Sequence, residues 1–130
     1  MSTNAKKPFP PDAGEFISLE TAMKLRLNYE DDQSQKKKKG YTKAICFGKE
    51  KVIELLSHPD CVALRIYYGI KVDTDGDGVK EKTMVLVGVD KNGDDILPAG
   101  PTEAVAKSAG APALLLDAGL PCPTYCSTKP

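Results

Sequence analysis

The chain predicts a small α+β fold: a mixed β-sheet of three to five strands with two or three helices packed on it. Three observations carry that expectation. Residues 62–72 alternate apolar and mixed side chains with a period of two, residues 83–89 are almost wholly apolar, and an acidic, glycine-rich stretch joins them. Side chains of a strand alternate faces, so the first run reads as a strand with one buried face, built from Val62, Leu64, Ile66, Tyr68, Ile70 and Val72. Its other face carries Ala63, Arg65, Tyr67, Gly69 and Lys71. The second run, apolar on both faces, suits an inner strand with neighbours on each side.

The elements before this ribbon follow from local chemistry. Residues 1–14 are polar and proline-rich and read as a flexible arm, with one domain over 15–130. Ser18 is an N-cap, with Glu20 in the first turn, for a helix from Leu19 to about Asp31. Leu19, Ala22, Met23, Arg26 and Leu27 form its stripe, which Leu25 and Tyr29 broaden, and the helix is expected to lie on the sheet. Lys36–Lys39 follows an acidic stretch and reads as a solvated linker. Tyr41–Phe47 is a strand by its β-branched and aromatic content. Lys49–Ser57 is a short helix burying Val52, Ile53, Leu55 and Leu56, ended by Pro59 because the preceding residue disfavours helical geometry. Strand, helix, strand suggests a βαβ unit, with Tyr41–Phe47 parallel to 62–72.

After the second long strand, Asn92-Gly93 supplies the positive φ angles of a tight turn, and a third short strand over Asp95–Leu97 stops at Pro98. Thr102 caps a helix over Glu103–Ser108. Residues 113–117 read as a short strand, and the tail is irregular because of its prolines.

The bulk numbers exclude several classes. At 130 residues the chain is long enough for one core. Its 18 basic and 18 acidic residues balance, so there is no general basic field, and the lysine run lacks interleaved aromatics; nucleic acid is not an expected partner. No apolar run approaches the roughly 20 residues of a membrane span. The N-terminus lacks the apolar segment of a secretion signal, so the expected compartment is the cytosol, with export of a processed form as the alternative.

The joining loop carries the ion chemistry. Calcium takes six to eight hard oxygen ligands, which alternate carboxylates on a tight loop provide. Asp73, Asp75, Asp77 and Gly78 stand at positions 1, 3, 5 and 6 of the EF-hand pattern. Val79 offers its carbonyl at position 7 and Glu81 stands at position 9. In this the stretch resembles EF-hand and dockerin-type loops over about nine residues, and the resemblance implies calcium binding. The pattern departs at Met84, where the family has a bidentate glutamate, and the flanks read as strands instead of helices. The competing reading is a hairpin loop that uses Asp and Gly for its turn alone.

Four cysteines and one histidine complete the inventory. Cys122 and Cys126 are spaced CxxxC, unlike a CxxC redox pair, and are a candidate disulfide or thiol pair. A zinc site from His58, Cys61, Cys122 and Cys126 can be drawn, whereas Cys46 reads as a small buried hydrophobe. No GxSxG, phosphate-binding loop or HExxH is present, and no third group orients a Cys–His pair, so catalysis is not expected. The expected function is a non-enzymatic binding or structural module acting through protein contacts, with Tyr67 and Arg65 as a candidate surface. The alternative is a calcium-stabilised or thiol- or metal-dependent protein using Asp73–Glu81 or the tail cysteines.

Overall fold

A computed structural model of the chain describes residues 8–36, 41–72, 80–98 and 114–129. The elements are α1 (Leu19–Gln35), β1 (Ala44–Cys46), α2 (Lys49–Leu56), β2 (Ala63–Val72), β3 (Lys80–Val89), β4 (Leu115–Leu116) and β5 (Leu120–Cys122). Among the described residues, two helices and two small antiparallel sheets make this an α+β fold, as expected. The chain divides into two compact units, residues 1–12 with 47–119 and residues 13–46 with 120–130.

The larger unit is built on the hairpin. β2 and β3 pair antiparallel in continuous register from Ala63↔Val89 to Val72↔Lys80. β4 pairs with the other side of β3 through Leu86↔Leu116 and Val87↔Leu115, which makes β3 the inner strand. A strand with neighbours on both sides has both faces available for burial, and the apolar run of β3 uses this: Leu86, Val87 and Val89 are no more than 4% exposed. From α2, Leu55 joins that core and Val52 is half-buried. Ile53 and Leu56, expected on the same side, are exposed. Successive helical residues point about 100° apart, so a helix this short brings few of its apolar residues to one sheet.

The third strand expected over Asp95–Leu97 shrinks to a single bridge, Val89↔Asp95, and one bond from Ile96 N to Gly88 O of 2.9 Å. β4 occupies the adjoining stretch of that edge. The turn before it is ordered by Asp90: its Oδ1 accepts from Asn92 N (2.8 Å) and Asp94 N (3.1 Å), and its carbonyl accepts from Gly93 N. Gly93 alone carries the positive φ, at 85°, so the turn is a β-turn closed by a left-handed glycine, and Asn92 does not share that conformation. Phe9, inside the expected arm, donates its N–H to Lys91 O at 2.6 Å. Gly88 allows a close approach of Cys61, since a Cβ there would lie 3.0 Å from Cys61 Sγ.

In the smaller unit, α1 starts where expected, with Ser18 Oγ accepting from Thr21 N at 3.1 Å. It runs a turn further than expected, through Gln35, where an Asp32–Lys36 pair at i,i+4 (3.2 Å) supports the extra length. Its sheltered face holds Ala22, Met23, Tyr29, Glu30 and Gln33, whereas Leu19, Leu25 and Leu27 of the expected stripe are exposed. Tyr29 fixes residues 41–42: its hydroxyl donates to Thr42 O (3.0 Å) and its ring meets Tyr41 edge-on at 6.0 Å. Glu30 pairs with Lys43 at 3.3 Å. The expected βαβ unit is not formed. β1 pairs antiparallel with β5, through Ala44↔Cys122, Ile45↔Pro121 and Cys46↔Leu120. Composition marks a strand without naming its partner, and here the partner lies at the far end of the chain.

Among the described residues no helix is long and apolar enough to cross a membrane. Val87→Ala is expected to cost about 2 kcal/mol, from two lost carbons and a small cavity in the core. Leu25→Ala, at an exposed helix position, changes stability by less than about 0.5 kcal/mol. Urea denaturation of both variants checks the contrast.

Candidate functional site

The two faces of the hairpin differ in chemistry. On one, Ala63, Arg65, Tyr67, Gly69 and Lys71 stand beside Val89, Val87, Val85, Thr83 and Glu81 of β3. Asp95 closes the upper part of this face: the Arg65 guanidinium pairs with its Oδ1 at 2.5 Å and the Tyr67 hydroxyl donates to its Oδ2 at 2.5 Å. The Asp95 side chain is 15% exposed, so these contacts are sheltered and fasten the short segment after the turn to the sheet. Lower down, Asp117, just past β4, accepts from Thr83 Oγ1 at 2.5 Å and pairs with Lys71 Nζ at 3.2 Å.

The charges respond to these contacts. The hydrogen bond to Asp95 raises the Tyr67 phenol above its ordinary value and holds Arg65 more firmly in its charged form. The Thr83 hydrogen bond lowers the Asp117 carboxyl against the opposing effect of burial, with lesser help from the Ala118 backbone and Lys71. Each stabilised charge state serves a cross-link between the hairpin and a neighbouring segment. Arg65 and Tyr67, the expected contact surface, are thus turned toward Asp95.

The opposite face of β2 overturns an expectation. Leu64, Ile66, Tyr68 and Ile70, read as the buried face, are 37, 48, 87 and 61% exposed. The register explains this. Ile66 lies beside Leu86, which is 4% exposed, so burial on this face is concentrated on the inner strand and fades toward β2. Among the described residues, β2 has β3 as its one hydrogen-bonded strand neighbour. Period-two alternation shows which residues share a face, and it carries no information on whether another element covers that face.

The cysteines separate into distinct environments. Cys122 and Cys126 form a disulfide with Cα atoms 4.7 Å apart. Cys46, expected to be buried, is exposed, because β1 sits in a two-stranded ribbon. Cys61 is half-buried and donates its thiol to Ala63 O at 3.2 Å. His58 accepts from Asp60 N through Nδ1 at 3.1 Å and is half-buried. The disulfide removes two of the four donors from the zinc set drawn on paper, and among the described residues no three His, Cys, Asp or Glu side chains converge as a metal site.

Of the calcium-loop residues, Asp73, Asp75, Asp77 and Val79 lie outside the described residues, as do Lys37–Lys39, the expected helix Glu103–Ser108 and residues 1–7. Glu81 opposes Lys71 in the β2–β3 register. Comparisons with protein-family models, curated proteins and solved structures give no match for this chain.

The Tyr67 contact sets a pH prediction. A raised phenol favours the protonated form in the folded state, so its stabilisation is full below the ordinary tyrosine value of about 10 and is lost as pH rises through the higher folded value. Asp95→Asn should move the Tyr67 transition back toward about 10. Ultraviolet titration of the wild type and of Asp95→Asn, each with a Tyr67→Phe reference, isolates that transition from the other four tyrosines. An unchanged transition in Asp95→Asn would show that Asp95 is not its cause.

Proposed function

We propose that the chain is a small binding module, without catalytic activity of its own, that docks a protein partner on the apolar face of β2. The observation that supports this is the row Leu64, Ile66, Tyr68 and Ile70, four large apolar side chains standing together and more than a third exposed. Single exposed apolar residues are ordinary, but a contiguous row marks an interaction surface. Tyr68 at 87% exposure offers a broad ring with few rotatable bonds, the type of residue that anchors interfaces.

The partner best suited to this surface is an extended polypeptide segment lying beside β2. A strand edge offers backbone groups at regular spacing, and pockets between alternate side chains select the partner's residues. The matching segment carries apolar side chains at every second position and no proline at the positions that must donate. The opposite face of β2 brings no unpaired charge into such a contact, since Arg65 is held by Asp95 and Lys71 by Asp117.

Selection of extended peptides from a random library on the immobilised chain tests the reading. The expected binders alternate apolar residues, and Ile66→Asp or Tyr68→Asp weakens them by more than about tenfold, as removal of a central anchor does. Because both positions are exposed, denaturant midpoints of the variants should stay close to the wild type. Binders indifferent to both substitutions would place the interaction elsewhere and remove this proposal.

A further inference from the structure

We infer that Cys46 is the third thiol of an internal exchange system with the Cys122–Cys126 disulfide. All three residues belong to the smaller unit. In the β1–β5 register, Ala44 is opposite Cys122 and Cys46 is opposite Leu120. Residues two apart on a strand share a face, so Cys46 and Cys122 stand on the same face of the ribbon, one diagonal step apart. Cys46 is exposed and reduced, and the sulfur it faces along this diagonal is already oxidised.

The ribbon is suited to closing that step. A diagonal pair lies about 7–8 Å apart, and a disulfide needs its Cα atoms within about 6.8 Å, so the strands must slide. The ribbon has three residue pairs, and Pro121, opposite Ile45, contributes no N–H to the ladder. Its side chains are half-buried or exposed, so no core fixes the register. A shift of two residues brings Cys46 opposite Cys122 and keeps every side chain on its own face, because the pleat repeats every two residues.

The chemistry balances within the chain. The Cys46 thiolate attacks Cys122 Sγ, the Cys122–Cys126 bond breaks, and a Cys46–Cys122 bond forms. Cys126 leaves as the thiolate and takes up a proton equivalent to the one Cys46 released. One disulfide and two free cysteines, counting Cys61, are present before and after, so no oxidant or reductant is consumed. The two states differ mechanically. The Cys122–Cys126 bridge ties the tail to itself, whereas the Cys46–Cys122 bridge staples the tail to β1 and closes a far longer loop, which constrains the unfolded chain more.

The test uses the full-length oxidised chain, incubated at mildly alkaline pH, quenched with acid, alkylated and mapped without reduction. The expected result is two linked species, Cys122–Cys126 and Cys46–Cys122, with alkylated Cys126 accompanying the second. Cys46→Ser should lose both the second species and the Cys126 alkylation, and Cys61→Ser should keep them. In a separate arm, Cys126→Ser treated with oxidised glutathione should form the internal Cys46–Cys122 bridge as a monomer. If wild-type Cys126 never becomes alkylated while Cys46 always does, the inference is overturned. It is equally overturned if Cys126→Ser yields only glutathione adducts or intermolecular dimers.

Discussion

The ladder between β2 and β3 is the constraint on which the larger unit depends. Ten consecutive pairs set which side chains share a face, and β4 then makes β3 the inner strand. An inner strand can bury apolar residues on both faces, and β3 buries Val87 and Val89 on one face and Leu86 on the other. A slip of one residue in this register would exchange the faces, exposing the row that packs and moving Arg65 and Tyr67 away from Asp95.

From that register come two surfaces with opposite behaviour. One is closed by carboxylates: Asp95 holds Arg65 and Tyr67, and Asp117 holds Lys71 and Thr83. These contacts join hairpin residues to segments far along the chain, and they satisfy the charges that β2 carries. The other surface holds the apolar side chains Leu64, Ile66, Tyr68 and Ile70, exposed at its outer row. Neutralising the charges that β2 carries on one face while its own residues on the other are apolar is consistent with a strand that accepts a partner along its apolar side.

The parts of the fold that depend on neighbouring residues were legible in the sequence. Ser18 capped its helix, the alternation of 62–72 gave a strand, and the continuous apolar run of 83–89 marked an inner strand. The parts that depend on distant residues were not. The partner of β1 is Leu120–Cys122, and no pattern in Tyr41–Phe47 points to it. Asp95 and Asp117 read as terminal residues of short strands, and their roles appear only when the register brings Arg65, Tyr67, Lys71 and Thr83 beside them. The exposed face of β2 was identified as a face and assigned the wrong environment, because alternation is the same whether the apolar side meets a core or a partner. Cys46 departs from expectation for a related reason: small apolar character suits a sheet interior, but β1 entered a ribbon that has none. The CxxxC pair was recognised as a candidate bridge, while its relation to Cys46 required the β1–β5 register.

The central claim is that the apolar face of β2 is open surface in the free chain. Tyrosine nitration under limiting reagent, read peptide by peptide, measures this directly, because Tyr67 and Tyr68 are neighbours on opposite faces of one strand. Tyr68, at 87% exposure, should react well ahead of Tyr67, which is 46% exposed and hydrogen-bonded to Asp95. Equal or reversed reactivity in the free chain would mean that the face is already covered, and would contradict the account.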